Sequence, residues 1–392
     1  MILKDKKILL AVCGSVSFYK AYDILSELKK LGADVYVALS DGALKFCKKE
    51  SFEALSSHKV LCSKSEDWQN GINHIEYSKV DLVVLAPASV NSINKLANGI
   101  CDNVFMQTLI SASNVPLIIA PAANPKMLNH FSTLNSIKIL KANGATIIDP
   151  VEKILACGDV GKGGIANQSD IVYIIIRELC KDDFYVGKTV LITAGSTTEK
   201  IDDVRVISNL SSGKMGKALA DVFYYLGADV LFVCSGDFRV PYKSIKFDSS
   251  FGLKSALLTQ KLKKDDIIVM VAAVSDYIPN KVKGKLSKEN VGDIITLRFK
   301  QNEDIIANIN YEGVKKVGFK LEVDMKEALQ NAKEALDNKN LDAVCLNILS
   351  NTVKFGSENT KITFVTPNNQ IELKEDTKAN TAFKLAELIK SI

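Results

Sequence analysis

No CxxC pair occurs among the eight cysteines, which stand apart at 13, 47, 62, 101, 157, 180, 234 and 345. That spacing excludes both a disulfide framework and a structural zinc site of the usual kind. Long hydrophobic runs are missing as well: none reaches the roughly 18 residues that a membrane span requires. The chain starts on a strand instead of a charged region followed by a long apolar stretch, so a cytoplasmic protein with reduced thiols and no membrane partner is expected. Nor is there an excess of one charge. The 50 Lys and Arg residues are interspersed with 45 Asp and Glu, for a net +5 over 392 residues. Such a balance gives no footprint for nucleic acid. No internal repeat and no low-complexity tract is present.

What the chain does have is two halves, each opening with an apolar strand that runs into a Gly/Ser turn. The first reads KKILLAVCGSVSFYKAYDILSELKK from Lys6, the second GKTVLITAGSTTEKIDDVRVISNLSSGKMGKALAD from Gly187. A strand ending in small residues ahead of a helix exposes backbone N–H groups that suit a phosphate. Short Val/Ile/Leu runs alternate with helical patterns throughout: KILLAV, DVYVAL, DLVVLAP, PLIIAP and TIIDP, then TVLITAG, DVLFVCSG, DIIVMVAAVSDY, KVGFKLE and DAVCLNILS. Continuous apolar strands separated by helices predict parallel sheets covered on both faces. The fold class expected is α/β, with two doubly wound, mostly parallel-sheet domains. ITLRFK adds a further strand, and KITFVT with IELKE predicts a hairpin closed at Pro367-Asn368-Asn369. Cys180–Val186 reads as the linker, placing the domains at 1–185 and 186–392.

In the first half, small or amide side chains follow three strands: Gly14-Ser15, then Ser40, then Ala88-Ser89 with Asn91. In a doubly wound sheet such carboxyl ends line one crevice. GxGxxG is absent, so a mononucleotide suits this crevice better than a dinucleotide. His74 in NHIEYSK, Asn124 and Met127 in PAANPKM, and Cys157 in the glycine-rich ACGDVGKGGIAN each have an ordinary structural explanation alone. Together, GSVSFYK, HIE, PASVN, KLANGICDN, PAANPKM and ACGDVGKGG resemble the FMN-dependent 4′-phosphopantothenoylcysteine decarboxylase family over nearly all of residues 5–180. The resemblance implies a flavodoxin-like domain that binds FMN through Gly14, Ser15, Ser40, Ala88, Ser89 and Asn91. It implies that His74, Asn124 and Cys157 act on the substrate, which Asn124 and Met127 bind. Oxidation of the cysteinyl thiol makes the carboxylate a leaving group, and Cys157 on a flexible flap protonates the product of decarboxylation. Ala123 and Asn103 depart from that family's usual Met and Asp.

In the second half, Gly195-Ser196-Thr197-Thr198 follows a strand and SSGKMG opens a helix, whose amides with Lys214 beside them suit a polyphosphate. The Walker A pattern fails, since Met215 follows Gly213-Lys214. With VAAVSDY, the lysines of GKLSK, NEDII and VGFKLE, the segment ITAGSTTEKIDDVRVISNLSSGKMG resembles phosphopantothenate–cysteine ligase over residues 187–392. That similarity implies a Rossmann-like domain using CTP and Mg²⁺, the metal carried by the CTP phosphates. The 4′-phosphopantothenate carboxylate attacks the α-phosphorus, and the amine of cysteine then attacks the acyl-cytidylate. It also implies roles for Asn209 on the acyl intermediate, for Lys285 (or Lys288) on the phosphates, and for Ala272, Asp276, Glu303, Asp304, Ile305, Ile306, Phe319 and Lys339 in the nucleotide site. Ser196, Thr198 and Ile348 depart from the usual Pro, Arg and acid.

The two resemblances cover consecutive steps of coenzyme A biosynthesis. They imply a homo-oligomer with trimeric flavin domains and dimeric ligase domains, which a dodecamer would satisfy. Two other readings stand beside this one. A non-enzymatic regulatory flavoprotein is disfavoured because His74, Asn124 and Cys157 are all present. A short-chain oxidoreductase would need a Tyr-xxx-Lys pair that neither Tyr19 nor Tyr224 supplies.

Overall fold

The computed structural model describes residues 1–67, 73–155, 158–287, 294–348 and 355–392. The chain forms two compact units, Met1–Cys180 and Lys181–Ile392. Among the described residues no helix is long and apolar enough to cross a membrane.

In the first unit, β1 (Lys7–Val12), β2 (Asp34–Leu39), β3 (Leu82–Ala88), β4 (Leu117–Pro121) and β5 (Thr146–Ile147) form a wholly parallel sheet in the order β2-β1-β3-β4-β5. Every residue of β3 is buried, which is why its sequence is apolar without alternation. After β1, α1 (Lys20–Lys30) buries Ala21, Ile24, Leu25 and Leu28 along one stripe. It ends at Gly32, whose φ of +96° a side chain would strain. The chain leaves β1 for one side of the sheet and later returns to the other, so the carboxyl ends of β1 and β3 flank the switch point where such sheets bind ligands. The covering helices include α2 (Lys49–Ser56), α3 (Asn73–Glu76), α4 (Val90–Ala97), α5 (Val104–Ser111), α6 (Pro125–Leu128), α7 (Phe131–Ala142) and α8 (Gln168–Cys180).

The glycine-rich stretch expected as a loop is instead half of a hairpin: β6 (Val151–Ile154) pairs antiparallel with β7 (Val160–Gly164). Its glycines are needed for contact. A Cβ at Gly161 would meet Pro125 Cγ at 2.8 Å, and one at Gly163 would run into the carbonyl oxygen of Ala123. Strand β7 can therefore lie directly on the turn that carries Asn124.

The second unit has an eight-stranded sheet. Its strands β8 (Thr189–Ala194), β11 (Asp229–Cys234), β12 (Lys243–Lys246), β13 (Ile267–Met270), β16 (Lys315–Glu322) and β17 (Ala343–Ile348) are parallel, in the order β12-β11-β8-β13-β16-β17. This is the doubly wound dinucleotide-domain order, with its switch point between β8 and β13. Beyond β17 come the antiparallel β19 (Ile362–Val365) and β20 (Gln370–Glu372), the expected hairpin, with Thr366 N–H bonded to Asn369 O at 2.8 Å. Short β18 (Asn359–Thr360) pairs with β21 (Asp376–Thr377). Among the described residues ITLRFK stays outside the main sheet: β15 (Phe299–Gln301) pairs with β14 (Tyr277–Pro279), while β9 (Thr198–Lys200) and β10 (Val206–Ser208) form a third small ribbon.

Helix α9 (Lys214–Tyr225) packs on β8, and α10 (Ser250–Leu258) follows β12. Gly216 permits the first of these contacts, since a Cβ there would sit 2.6 Å from Ala194 Cβ. The stretch read as a linker puts one residue, Tyr185, into the core of this unit, with Phe184 packed against it. Tyr185 is fully buried with Phe223 at 5.2 Å between ring centroids, and its hydroxyl donates to Ala386 O at 2.5 Å. Asp182 pairs with Lys390. The polar residues around Tyr185 hid an anchor for the last helix, Lys378–Ile389.

Candidate functional site

The crevice of the first unit is assembled from the ends of β1, β2, β3 and β4. Cys13 N–H bonds to Pro87 O at 3.1 Å, Ser40 N–H to Val12 O at 3.1 Å and Ala122 N–H to Ala88 O at 3.0 Å. These bonds bring Gly14, Ser15, Ser40, Ala88, Ser89 and the Asn124 turn to one edge. A Cβ on Gly14 would lie 2.6–2.9 Å from the Gly42 backbone, so the two turns meet with no side chain between them. The hydroxyls are oriented by their own backbones. Ser15 Oγ accepts from Ser17 N–H (3.3 Å), Ser40 Oγ from Ala43 N–H (3.2 Å) and Ser89 Oγ from Ser92 N–H (3.3 Å). Ser15 and Ser40 thus retain a proton to donate outward. Ser89 caps α4, whose first turn also presents the exposed Asn91. A side-chain-free turn, hydroxyl donors and a helix start fit a phosphate-bearing flavin mononucleotide.

Asn124 caps α6, its Oδ1 accepting from Lys126 N–H at 2.9 Å, and Met127 beside it is 53% exposed. Cys157 lies outside the described residues; of the two strands that flank it, β6 ends at Ile154 and β7 begins at Val160, both well exposed. His74 is half-buried on α3, which packs on α5, an element apart from the four strand ends. Cys13, next to Gly14, is sequestered: burial pushes its thiol up, outweighing its bonds to Ser89 and Ser92, so it remains protonated and unreactive.

In the second unit the turns after β8 and β13 are laced together. Ala273 N–H bonds to Gly195 O at 2.8 Å, Thr197 N–H to Ala273 O at 3.1 Å, and Thr193 Oγ1 accepts from both Val271 and Ala272 N–H at 3.0 Å. Asn209 joins them by donating from Nδ2 to Val274 O at 3.0 Å. Asn302 joins through Asp276 O and Ser275 O, at 2.7 and 2.9 Å. Asp276 itself is exposed at this mouth. Phe319 stands one residue beyond Gly318, the last β16 partner of β13, and so at the same edge. Asn209, Ala272, Asp276 and Phe319 are therefore gathered together.

The segment 303–306 is held by two ion pairs, Glu303 with Lys254 (2.6 Å) and Asp304 with Lys339 (2.8 Å). Ile305 and Ile306 bury their side chains in the core, so only their backbone faces a ligand. Lys339 ends the helix Met325–Asn338 ahead of β17; it reaches the 303–306 segment and not the turns after β8 and β13. Gly213, with φ of +70°, opens α9, but Lys214 is not free beside it: it pairs with Glu358 at 2.5 Å and donates to Gly356 O at 3.0 Å. Lys285 is exposed, on a loop fastened to the β9–β10 turn, while Lys288 lies outside the described residues.

The fastening is made by Asp202 and Asp203, which sequence reading passed over. Burial pushes the Asp202 carboxyl up, but the N–H groups of Val204, Leu286 and Arg205 and the Arg205 charge bring it below the usual carboxylate range. Lys281 and the N–H of Gly284 hold Asp203 low as well. The available signal was two adjacent acids after a strand, in IDDVR. Among the described residues no cluster of three or more His, Cys, Asp or Glu could hold a metal ion.

Residues 2–180 match the family described as Flavoprotein, and residues 185–392 match the DNA/pantothenate metabolism flavoprotein C-terminal domain. A relative from Bacillus subtilis (strain 168), the coenzyme A biosynthesis bifunctional protein CoaBC, is 33% identical over 403 residues, with 100% of this chain and 98% of the relative covered. The protein of the same name from Borreliella burgdorferi is 32% identical over 395 residues, covering 98% of this chain and 99% of its own. A third, from Vibrio vulnificus (strain YJ016), is 34% identical over 405 residues, with 100% and 98% covered.

Proposed function

The chain belongs to the family of bifunctional coenzyme A biosynthesis proteins, and from that premise we propose how its two crevices divide the work. It is a bifunctional enzyme for two consecutive steps: the second unit joins 4′-phosphopantothenate to cysteine, and the first decarboxylates the product to 4′-phosphopantetheine. The observation that carries this reading is that in each unit the strand ends at the topological switch point gather polar residues, and that these residues differ. Hydroxyls and a side-chain-free turn mark the first; an amide, an acid and a lysine loop mark the second.

In the first unit, Ser15, Ser40 and the start of α4 at Ser89 hold the phosphate of FMN, and the close approach of Gly14 to Gly42 keeps that floor open. FMN when bound supplies two-electron oxidation and re-reduction of the substrate. Asn124, fixed as the cap of α6, orients the substrate carboxylate beside Met127, and His74 assists before CO₂ leaves. Cys157 donates the proton that the carbon gains after that loss.

The second unit uses CTP. The phosphopantothenate carboxylate attacks the α-phosphorus and displaces pyrophosphate; the cysteine amine then attacks the acyl carbon and displaces CMP. Lys285 neutralises the growing negative charge, to which a Mg²⁺ carried on the CTP phosphates would add its own screening. Asn209 holds the acyl group while Val274 O keeps its amide in place. Ala272, Asp276, Phe319 and the backbone of 303–306 contact the nucleoside, with Lys339 acting through Asp304.

The test is a visible spectrum of the purified chain followed by CO₂ release from 4′-phosphopantothenate, cysteine, Mg²⁺ and CTP. Flavin absorbance with CTP-dependent CO₂ release is expected, and Cys157→Ser should stop the sequence after CO₂ loss. A colourless protein that stays inert after FMN addition sinks the reading of the first unit. Flavin without pyrophosphate formation sinks that of the second.

A further inference from the structure

Resting on the reading of Lys285 as the lysine that meets the nucleotide phosphates, we propose that Asp202 and Asp203 are positioning residues that set the Lys285 loop in place. Both stand in the turn of the β9–β10 ribbon, and between them they grip the residues on either side of Lys285. Asp202 Oδ2 accepts from Leu286 N–H at 3.1 Å. Asp203 Oδ2 accepts from Gly284 N–H at 2.8 Å, and Asp203 N–H donates to Gly284 O at 3.0 Å. Lys281 Nζ pairs with Asp203 Oδ1 at 2.7 Å, and Val282 N–H donates to Ile201 O at 2.9 Å.

The grip itself is rigid. The Asp202 side chain is wholly buried, its Oδ1 taking the N–H groups of Val204 (2.7 Å) and Arg205 (2.5 Å) and its Oδ2 the Arg205 guanidinium (3.1 Å). The other end of the same ribbon is anchored in the crevice, where Ser208 Oγ donates to Thr197 O at 2.7 Å and Asn209 bonds to Val274 O. One short ribbon therefore ties the residue that holds the acyl group to the loop that carries the phosphate-binding lysine. Gly284, at φ of +81°, makes the bend between the two grips. A loop released from them samples many positions, and a ligand that needs one of them sees an affinity reduced by the fraction in that position. Loss of the latch should therefore raise the KM for CTP more than it lowers kcat, and leave the KM for cysteine unchanged.

The test uses the full chain. Asp203→Ala should raise the KM for CTP about tenfold at nearly constant kcat, with Asp203→Glu restoring part of the loss, while the decarboxylase rate stays as in the wild type. Tryptic cleavage after Lys281, Lys283 and Lys285 gives a readout without turnover, and should accelerate several-fold in Asp203→Ala. Asp202→Asn should do the same if it folds; Asp203, being half exposed, does not carry that risk. Lys285→Gln separates the two ideas. If it ligates normally, the role of Lys285 fails. If it is inactive while Asp203→Ala keeps the wild-type KM and cleavage rate, the latch is overturned and Lys285 stands.

Discussion

Lys214 Nζ and Glu358 Oε1 lie 2.5 Å apart, so the lysine that opens α9 meets a carboxylate of its own chain. Both side chains are substantially exposed, at 42% and 79%, and a pair of that kind adds little to folding. Its effect should be felt in binding, where Glu358 competes with a polyphosphate for the same charge. Glu358→Gln is expected to lower the KM for CTP by about threefold, and to leave the melting temperature within a few degrees. Ligase kinetics at low ionic strength check this; an unchanged or higher KM would count against Lys214 as part of the polyphosphate cradle.

Gly14→Ala is expected to cost the flavin. Its Cβ would press on the Gly42 backbone at 2.6–2.9 Å, and backbone cannot swing aside as a side chain can. The variant should purify with little or no yellow colour and recover decarboxylation only at high added FMN, while its ligase rate is unaltered. Absorbance per chain after gel filtration is the measurement.

Gly163→Ala should separate flavin binding from turnover. The added methyl would drive β7 off the Ala123–Pro125 turn, displacing the hairpin against Asn124 without touching the Gly14 turn. Flavin content should be retained and decarboxylation should fall by about tenfold to a hundredfold, the usual penalty for misplacing reacting groups by an ångström. A variant with full activity would mean that the hairpin's seat on this turn is irrelevant to catalysis.

The acid limb of stability should report Asp376. Lys384, Asn380 and the N–H of Thr377 hold its carboxyl at about 2, and Thr377 caps the last helix, which buries Leu385, Ala386 and Ile389. A depressed carboxyl stabilises the fold fully above its ordinary value near 4, and that contribution fades as pH falls towards about 2. Asp376→Asn should therefore melt lower than the wild type at neutral pH, the two curves converging between pH ~4 and ~2. Calorimetric scans over that range decide it; a gap that persists below pH 2 would assign the effect to packing instead.

How much of this was legible beforehand depended on burial. The strands of both sheets announced themselves because residues such as those of β3 are enclosed on both faces and carry no polar interruptions. Crevice residues at Ser15 and Ser89 were also readable, since a small residue after such a strand has few other uses, whereas Asn209 and Asp276 rested on family resemblance alone, Asn209 following an exposed ribbon strand. Partnerships across the chain were not readable. Nothing local tells that Lys214 will meet Glu358, 144 residues away, or that Asp202 will take the N–H of Leu286. Glycines misled for a related reason: those of β7 looked like loop residues because the surface they make room for, the Asn124 turn, is distant in sequence. Tyr185 misled by company, since Lys181, Asp182 and Asp183 lead into it.

That buried tyrosine also bears on how the two activities came to share a polypeptide and can be exchanged between relatives. The ring and hydroxyl of Tyr185 complete the second unit from a position that looks like the tail of the first. A genetic crossover at 186, where composition alone would draw the seam, would hand one lineage's anchor to the other lineage's socket. Successful chimaeras should instead join at Cys180–Lys181, where the contacts of the chain itself divide, so that Asp182, Phe184 and Tyr185 are inherited together with Phe223, Ala386 and Lys390.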